Sequence, residues 1–493
     1  MKRVFLIGLI GLVGLVGLVG CRQEPTDVQL VKQQPAIYPD YIGVTIPVGI
    51  APLNFDVVGE GIDRVDAQVT GSKGGELRAN GDYADFDLKE WHALLEQNKG
   101  GELTVTVCVR KDGRWLQYQD FKIHVSPYAL DEWGVTYRRI APGYEIYSHM
   151  GIYERELGSF KQRGLLENTQ FDGCVNCHAY NRGNPDAFSL HIRGDHGATL
   201  LQVDGEMAAY NTKTDSTLGF CVYPYWHPTG KYIAYSTNNT RQGFHVQPDK
   251  IIEVFDLDSD LQVYDVEHNQ IITAPQIKQK GIWESFPAFS PDGRTLYFTA
   301  AREVQIPGEL PQSQYNLLKV SFDPETGTIG QDVETVVDAV SMGKSLTFPK
   351  PSYDGKYLMF TLCDYGTFSI WHHESDLWLL DLETGAIRPM DEVNSPDTDS
   401  YHNWSSNSRW FVFSSRRDDG SYTRPYISHI DENGIAGKPF MLPQRDPVNY
   451  YRKLYRSYNV PEFVTGPVPL DRIRAQKLID APERVPFGFR WSD

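Results

Sequence analysis

Short runs of alternating apolar and polar residues recur along this chain. Residues 41–46 (Tyr-Ile-Gly-Val-Thr-Ile) and 102–107 (Glu-Leu-Thr-Val-Thr-Val) show the pattern early in the sequence. Such alternation predicts strands with one buried face. We therefore predict a β-sandwich-like domain over residues 21–128, with one short helix over 87–97.

A longer unit repeats four times in the second half of the chain, at residues 224–236, 287–299, 349–361 and 402–414. Two copies contain an Asp-Gly pair, such as Asp292-Gly293, and the fourth has Asn407-Ser408 in its place. The pair predicts a tight turn, and the alternating run behind it predicts a strand. A second kind of strand follows three copies, at 253–258, 316–323 and 377–385.

The repeat resembles that of TolB-type β-propellers, which carry a Pro-x-Trp-Ser-Pro-Asp-Gly-Lys unit in each four-stranded blade and usually have six blades. The resemblance covers residues 189–445 and implies a propeller there, with a further blade from residues 189–211. Six blades is the expectation, and five or seven remain open. Residues 446–493 are expected to pack on the propeller as a tail.

Residues 129–188 show a different pattern, with mixed helical periodicity over 144–164. They predict a short helical segment between the two β domains. The whole chain is thus expected to be mainly β, with an N-terminal β-sandwich, this segment and a propeller.

This segment contains Cys174-Val175-Asn176-Cys177-His178, the C-x-x-C-H attachment motif of c-type haem. The spacing predicts that Cys174 and Cys177 bind haem covalently and that His178 is the proximal iron ligand. A zinc half-site and a thiol redox pair are the alternatives for the two cysteines.

The sixth iron ligand is not fixed by any spacing rule. We rank His191 first, since it follows the motif closely and lies on a predicted strand, and Met150 second. His149, His196 and His227 are further candidates.

The N-terminus predicts export. Met1-Lys2-Arg3 precedes an apolar run that ends in Leu18-Val19-Gly20-Cys21, which resembles the lipobox of bacterial lipoproteins. Residues 1–20 are expected to be a cleaved signal peptide and Cys21 the lipid-modified residue that anchors the protein to a membrane. In lipoproteins an aspartate directly after this cysteine often retains the protein at the inner membrane. None follows Cys21, so the resemblance implies the outer membrane of the cell envelope; an uncleaved anchor is the alternative.

The composition limits the classes of partner that we expect. The formal net charge of −17 argues against nucleic acid and would steer a basic protein partner. Of the six cysteines, three remain after the lipid and the haem, and Cys108 lies in an alternating run that predicts a buried thiol. The chain has no G-x-S-x-G, H-E-x-x-H or Walker-type motif, so no catalytic residue is predicted.

Three functions follow from these features. The first is a lipid-anchored monohaem cytochrome that transfers electrons to a redox partner at the cell envelope. The second is a TolB-like binding or scaffold protein with a structural or sensory haem. The third and weakest is a haem enzyme, a peroxidase or small-oxide reductase. The sequence favours an electron carrier or binding protein over a catalyst.

Overall fold

The computed structural model describes residues 24–141, 149–171, 173–247 and 250–492. The predicted signal peptide and Cys21 lie outside these ranges. Within them, no helix is both long enough and apolar enough to cross a bilayer.

The N-terminal domain is one seven-stranded sheet with a helix and a two-stranded pair beside it. Its elements are β1 Gln29–Leu30, β2 Ile37–Tyr38, β3 Thr45–Ile46, β4 Asp56–Val57, β5 Ile62–Gly71, β6 Glu76–Gly81, α1 Leu88–Gln97, β7 Glu102–Lys111, β8 Arg114–Gln117 and β9 Phe121–Val125. The predicted helix is present, capped by Asp87, whose carboxylate accepts the backbone N–H groups of Lys89 and Glu90. The domain is β-rich as predicted, but α1 and the β2–β4 pair take the place of a second full sheet.

The rest of the chain forms six sheets, which we call blades 1 to 6. Blade 1 contains β10 Gly134–Ile140, β11 Gly151–Glu156 and β12 Gln162–Glu167. Blades 2 and 3 contain β13 Cys174–Asn181, β14 Asn184–Arg193, β15 Ala198–Val203 and β16 Glu206–Asn211, then β17 Cys221–Trp226, β18 Tyr232–Gln247, β19 Lys250–Asp265 and β20 Gln270–Thr273. Blade 4 contains β21 Ile282–Phe289, β22 Thr295–Arg302, β23 Asn316–Asp323 and β24 Thr328–Val337.

Blades 5 and 6 contain β25 Ser345–Pro351, β26 Tyr357–Cys363, β27 Asp376–Asp381 and β28 Ile387–Pro389, then β29 Asp399–Trp404, β30 Trp410–Ser415, β31 Arg424–His429 and β32 Phe440–Met441. The chain ends with α2 Pro447–Tyr451, β33 Ser457–Val464, α3 Arg472–Asp480, β34 Val485–Pro486 and β35 Gly488–Trp491. Short 3-10 helices lie at Asn168–Gln170, Pro275–Ile277, Leu310–Gln312, Val340–Met342 and Ser369–Trp371.

The six blades close into a ring. Strand β33 pairs with β10 and becomes the innermost strand of blade 1, so the two ends of the propeller sequence share one sheet. The first strands of blades 2 to 6 contact one another in turn, and β33 contacts both β29 and β13. This is a six-bladed β-propeller with a central channel lined by β13, β17, β21, β25, β29 and β33.

In the segment that was predicted to be helical, the described residues form strands β10 to β13 and one short 3-10 helix, Asn168–Gln170, but no α-helix. Strands β11 and β12 lie within the region of mixed periodicity, and β13 carries the C-x-x-C-H motif as the innermost strand of blade 2. The helical prediction is therefore corrected. Local periodicity missed these strands because the sheet that holds β10, β11 and β12 is completed by β33, from the far end of the chain.

The repeated Asp-Gly pairs make the predicted turns. Gly293 and Gly355 have φ of 73° and 72°, a left-handed conformation that glycine adopts without strain. Ser408 replaces glycine in the fourth copy and has φ 56°, while Asn407 accepts the backbone N–H of Arg409. The same turn thus survives the substitution.

The C-terminal tail extends the outer edges of two blades. Strand β34 pairs in parallel with β16 of blade 2, and β35 pairs in parallel with β20 of blade 3. Phe487, between these two strands, stacks on Tyr264 with ring centroids 4.0 Å apart.

Candidate functional site

Each of the six innermost strands has a bulge at the same level of the channel. The register of each strand with its neighbour shifts there. One residue per strand has a positive φ, between 32° and 53°, and none of the six is glycine: Cys177, Tyr223, Phe286, Phe348, Tyr401 and Val460. All six line one cavity. The bulge therefore defines an equivalent position in every blade.

The residue after the bulge divides the blades into two groups. In blades 3, 4, 5 and 1 it is proline, namely Pro224, Pro287, Pro349 and Pro461. Proline is tolerated there because a bulge does not need the N–H of the strand ladder. In blades 2 and 6 it is histidine, His178 and His402. All six residues line the same cavity.

His178 is buried without a partner. The residue is 3% exposed, and neither ring nitrogen has a hydrogen bond to any part of the chain that the structure describes. Burial lowers the pKa of His178 to about 3, with Arg138 and Lys350 adding to the effect, so the ring is neutral at pH 7. Buried polar groups are nearly always paired, and a neutral imidazole is the form that binds metals.

The two cysteines of the motif line the cavity beside His178. Both are free thiols and partly buried. Asn176, between them, donates from Nδ2 to Cys174 Sγ over 2.9 Å, and burial raises the pKa of the Cys174 thiol. Cys108 is a buried free thiol in β7, as the alternation around it predicts.

His402 has one ring nitrogen satisfied and one not. Its Nε2 lies 2.9 Å from the carbonyl oxygen of Met359. A carbonyl only accepts, so Nε2 carries the proton and Nδ1 keeps its lone pair. Nδ1 is buried and has no hydrogen bond to the residues that the structure describes. Burial lowers the pKa of His402 to about 3, although the backbone groups of Met359 and Phe348 oppose the shift.

The cavity itself is the mouth of the central channel, with a volume of about 390 Å³. This falls in the range of roughly 300–1,000 Å³ typical of cofactor and ligand sites. Its apolar wall is an aromatic cluster in which Phe286 and Phe348 have ring centroids 4.3 Å apart. Phe368, Tyr223 and Tyr401 extend that cluster.

Cations surround this aromatic wall although the protein is acidic. The lining includes Arg138, Arg193, Arg241, Arg416 and Lys350, and Glu462 is its one carboxylate. The guanidinium of Arg416 lies 4.1 Å above the ring of Trp371. Arginine forks suit carboxylates, so an apolar group with acidic substituents would meet complementary side chains here.

The floor of the cavity is formed by Lys350 and Glu462. Both residues also line a second, smaller cavity of about 50 Å³ that continues along the channel. Glu462 accepts the backbone N–H of Tyr180 over 3.2 Å, and Lys350 lies 4.8 Å from the ring of Tyr225. Burial raises the pKa of Glu462 to about 7, and Lys350 partly offsets this.

A long hairpin of blade 3 reaches over the mouth. Strands β18 and β19 contribute Thr240, Arg241, Gln242 and Val254 to the lining, and β19 contacts the 3-10 helix of blade 5. A buried cluster fixes this contact: His372 Nε2 lies 3.2 Å from Glu253 Oε1, and His372 Nδ1 lies 3.0 Å from Glu374 Oε1. Both partners are carboxylates, so both ring nitrogens donate and the ring is an imidazolium.

We expect this contact to weaken at high pH. Burial opposes the charged ring, but the hydrogen bonds that it donates to Glu253 and Glu374 outweigh this effect and raise the pKa of His372 to about 9. Because the folded pKa lies above the unfolded value, the stabilisation is complete below about pH 6.5 and is lost as the pH rises through 9; it amounts to about 3 kcal/mol. The hydrogen-exchange protection factors of 238–247 and 250–256, which correct for the intrinsic rise of exchange with pH, should fall over that range in the native protein, whereas a His372→Gln variant should show no such step. His373→Gln, which changes an exposed neighbour, should keep the step; a wild-type protein without it would contradict the assignment.

The structure does not bring the two predicted sixth ligands to the cavity. His191 lies on β14, with Nδ1 3.2 Å from Thr199 Oγ1 and its ring 5.5 Å from that of Phe220. Met150 is buried just before β11. Neither residue is part of the cavity lining.

The other histidine candidates have local structural partners or lie elsewhere. His149 contacts Glu167 over 3.0 Å, and His227 contacts the carbonyl oxygen of Gly293 over 3.0 Å. His196 is outside the lining residues. His402 is not among the candidates from the sequence, although a signal is present. The four repeat copies begin with Pro224, Pro287, Pro349 and His402. The exchange of proline for histidine in the fourth copy is that signal.

No protein-family model matches the chain, and no curated protein matches it. Among solved structures, it is similar to prolyl oligopeptidase B from Galerina marginata, with 12% identity over 59% of this chain and 40% of that chain, at a TM-score of 0.34. It therefore spans less than half of that enzyme. It is also similar to the periplasmic gluconolactonase of Pseudomonas aeruginosa, with 12% identity over 82% of this chain and 100% of that chain, at a TM-score of 0.38.

Proposed function

We propose that this chain is a monohaem c-type cytochrome that transfers electrons at the cell envelope, with its haem in the mouth of a TolB-like propeller. The observation that carries the proposal is the position of the C-x-x-C-H motif. Both thiols and the imidazole of His178 line one cavity, and that imidazole is neutral, buried and without a hydrogen bond. A buried ring with two unused nitrogens fits an axial iron ligand.

The remaining lining residues fit the rest of a haem. Cys174 and Cys177 would hold the porphyrin edge through thioether bonds. The cluster of Phe286, Phe348 and Phe368 offers apolar contacts to the ring. Arg138, Arg193 and Arg416 are placed to pair with carboxylate substituents. When bound, haem supplies an iron that exchanges one electron between its ferrous and ferric states.

The proposal includes a location and a partner. A lipid on Cys21 would anchor the protein to a membrane of the envelope, most simply the outer membrane, with the propeller outside the cytoplasm. The acidic surface that results from a net charge of −17 would attract a basic region of a redox partner or another envelope protein.

A haem stain tests the proposal. The chain would be produced in a host that matures c-type cytochromes and run on a denaturing gel, with a pyridine haemochrome spectrum of the same sample. We expect haem to stay with the denatured wild-type chain and to be lost from a Cys174→Ala, Cys177→Ala double variant. The matched control is Cys108→Ala, which removes a thiol remote from the cavity and should retain the haem.

The opposite result would overturn the proposal that this chain is a cytochrome. A folded wild-type chain without covalent haem would leave a propeller with a metal or thiol site at residues 174–178. Metal analysis and thiol titration of the purified protein would then separate those two alternatives.

A further inference from the structure

We infer that His402 is the second axial ligand, so that the iron is held between two imidazoles from two different blades. The inference rests on the haem proposed above and adds the sixth iron ligand, which the C-x-x-C-H motif does not specify. It replaces both candidates that the sequence suggested, His191 and Met150.

The two histidines hold equivalent positions in their blades. His178 and His402 each follow the bulge of an innermost strand, in blades 2 and 6, and the other four blades have proline at that position. Blades 2 and 6 are the two neighbours of blade 1, so only Pro461 separates the histidines around the ring. Proline offers no ligand atom, so this level of the channel presents two ligating side chains, both of them imidazoles.

The His402 ring has a fixed orientation. Its Nε2–H donates to the carbonyl oxygen of Met359 on β26 of blade 5, which fixes the ring and its tautomer. Histidines that bind metals usually donate their other ring N–H to a carbonyl or carboxylate in this way. The arrangement leaves Nδ1, which keeps its lone pair, as the ligating atom.

No hydrogen bond from the described residues uses this lone pair. His402 is 2% exposed, its Nδ1 has no hydrogen bond, and the residue lines the same cavity as His178. A buried acceptor without a partner costs about 1–3 kcal/mol, so its presence needs an explanation. A metal bound in the cavity supplies one for both histidines.

The competing side chains are engaged elsewhere. His191 shares its Nδ1 with Thr199 outside the lining, and Met150 is packed away from it. Lys350 lines the cavity but lies one residue beyond the histidine level, near the Tyr225 ring. A six-coordinate iron with two imidazoles has no open site, which suits electron transfer and argues against a peroxidase or small-oxide reductase.

The test uses the full-length holoprotein and the electron paramagnetic resonance and visible spectra of its ferric and ferrous forms. His402→Pro is the decisive variant, because it installs the residue that four other blades already carry at this position and so should fold. We expect a low-spin ferric signal in the wild type, loss of that signal in His402→Pro, and carbon monoxide binding to the ferrous variant. His402→Met should keep six ligands and raise the reduction potential.

His191→Ala and Met150→Leu serve as the comparison arms and should keep the low-spin signal. A low-spin spectrum unchanged in His402→Pro, or lost in either comparison variant, would overturn the assignment. So would a wild-type iron that is high-spin and five-coordinate. These outcomes differ from failure of the proposed function, in which the wild-type chain carries no covalent haem and has no iron spectrum to compare.

Discussion

A chain that ends at Arg456 is expected to lose its native fold, although it keeps more than nine-tenths of the sequence. The deletion removes β33, the innermost strand of blade 1 and the strand that closes the ring between β29 and β13, together with α3, β34 and β35. Tyr458, Phe463 and Val464 are buried there. Burying three such side chains contributes on the order of 5–9 kcal/mol, which approaches the roughly 5–15 kcal/mol by which a typical protein is stable.

The matched control is a chain that ends at Ala481. It keeps β33 and loses only the edge strands β34 and β35, together with the stacking of Phe487 on Tyr264. We expect it to remain folded, with a stability lower by about 2–3 kcal/mol. Circular dichroism, gel filtration and thermal unfolding would compare both chains with the full-length protein. Cooperative unfolding of the shorter chain near the wild-type temperature would show that β33 does not close the ring.

Blades 3 to 6 could be predicted from the sequence because each is built from one continuous segment. The turn, the strand behind it and the second strand lie within a few dozen residues, so the repeat records them directly. Residues such as Asp292 and Gly293 mark the turn by their own conformational preferences. Local chemistry and local structure agree in these blades.

Blade 1 could not be predicted in the same way. Its central pairing joins Thr136 to Glu462, residues that no local window contains together. Strand β33 pairs with β10 and so completes the sheet in which β11 and β12 follow, whereas the local periodicity of 144–164 alone predicts a helix. The sheet context decided the structure of this segment.

The candidate site also has a part that the sequence predicts locally and a part that depends on the fold. The C-x-x-C-H motif is a local feature, so Cys174, Cys177 and His178 can be singled out from the sequence alone, and the structure places all three at one cavity; their role in binding haem stays a prediction. The choice of His191 relied on its closeness in sequence. The channel instead brings together equivalent positions of different blades, and His402 reaches the same level as His178 from more than two hundred residues away.

Arg424 is expected to be the most important single side chain for keeping the ring closed. It is 1% exposed on β31 of blade 6. Its guanidinium donates to the carbonyl oxygens of Arg456 over 2.8 Å and of Tyr451 over 3.0 Å. It also pairs with Asp419 over 3.3 Å. These contacts hold the segment that leads from α2 into β33.

Replacing Arg424 by methionine keeps most of the side-chain volume and removes every one of these donors. The carbonyl oxygens of Tyr451 and Arg456 then lose this donor, while Asp419 keeps the backbone N–H groups of Ser421 and Tyr422. We expect a loss of about 3–5 kcal/mol in the free energy of unfolding. Lys453→Met changes an exposed residue of the same segment and should alter stability by less than about 0.5 kcal/mol. Urea unfolding would give both values, and limited proteolysis should cut the Arg424→Met variant within residues 447–456 before any other site. Equal stability of the two variants would mean that the closing segment is held by β33 alone, and that the arginine only fills space beneath it.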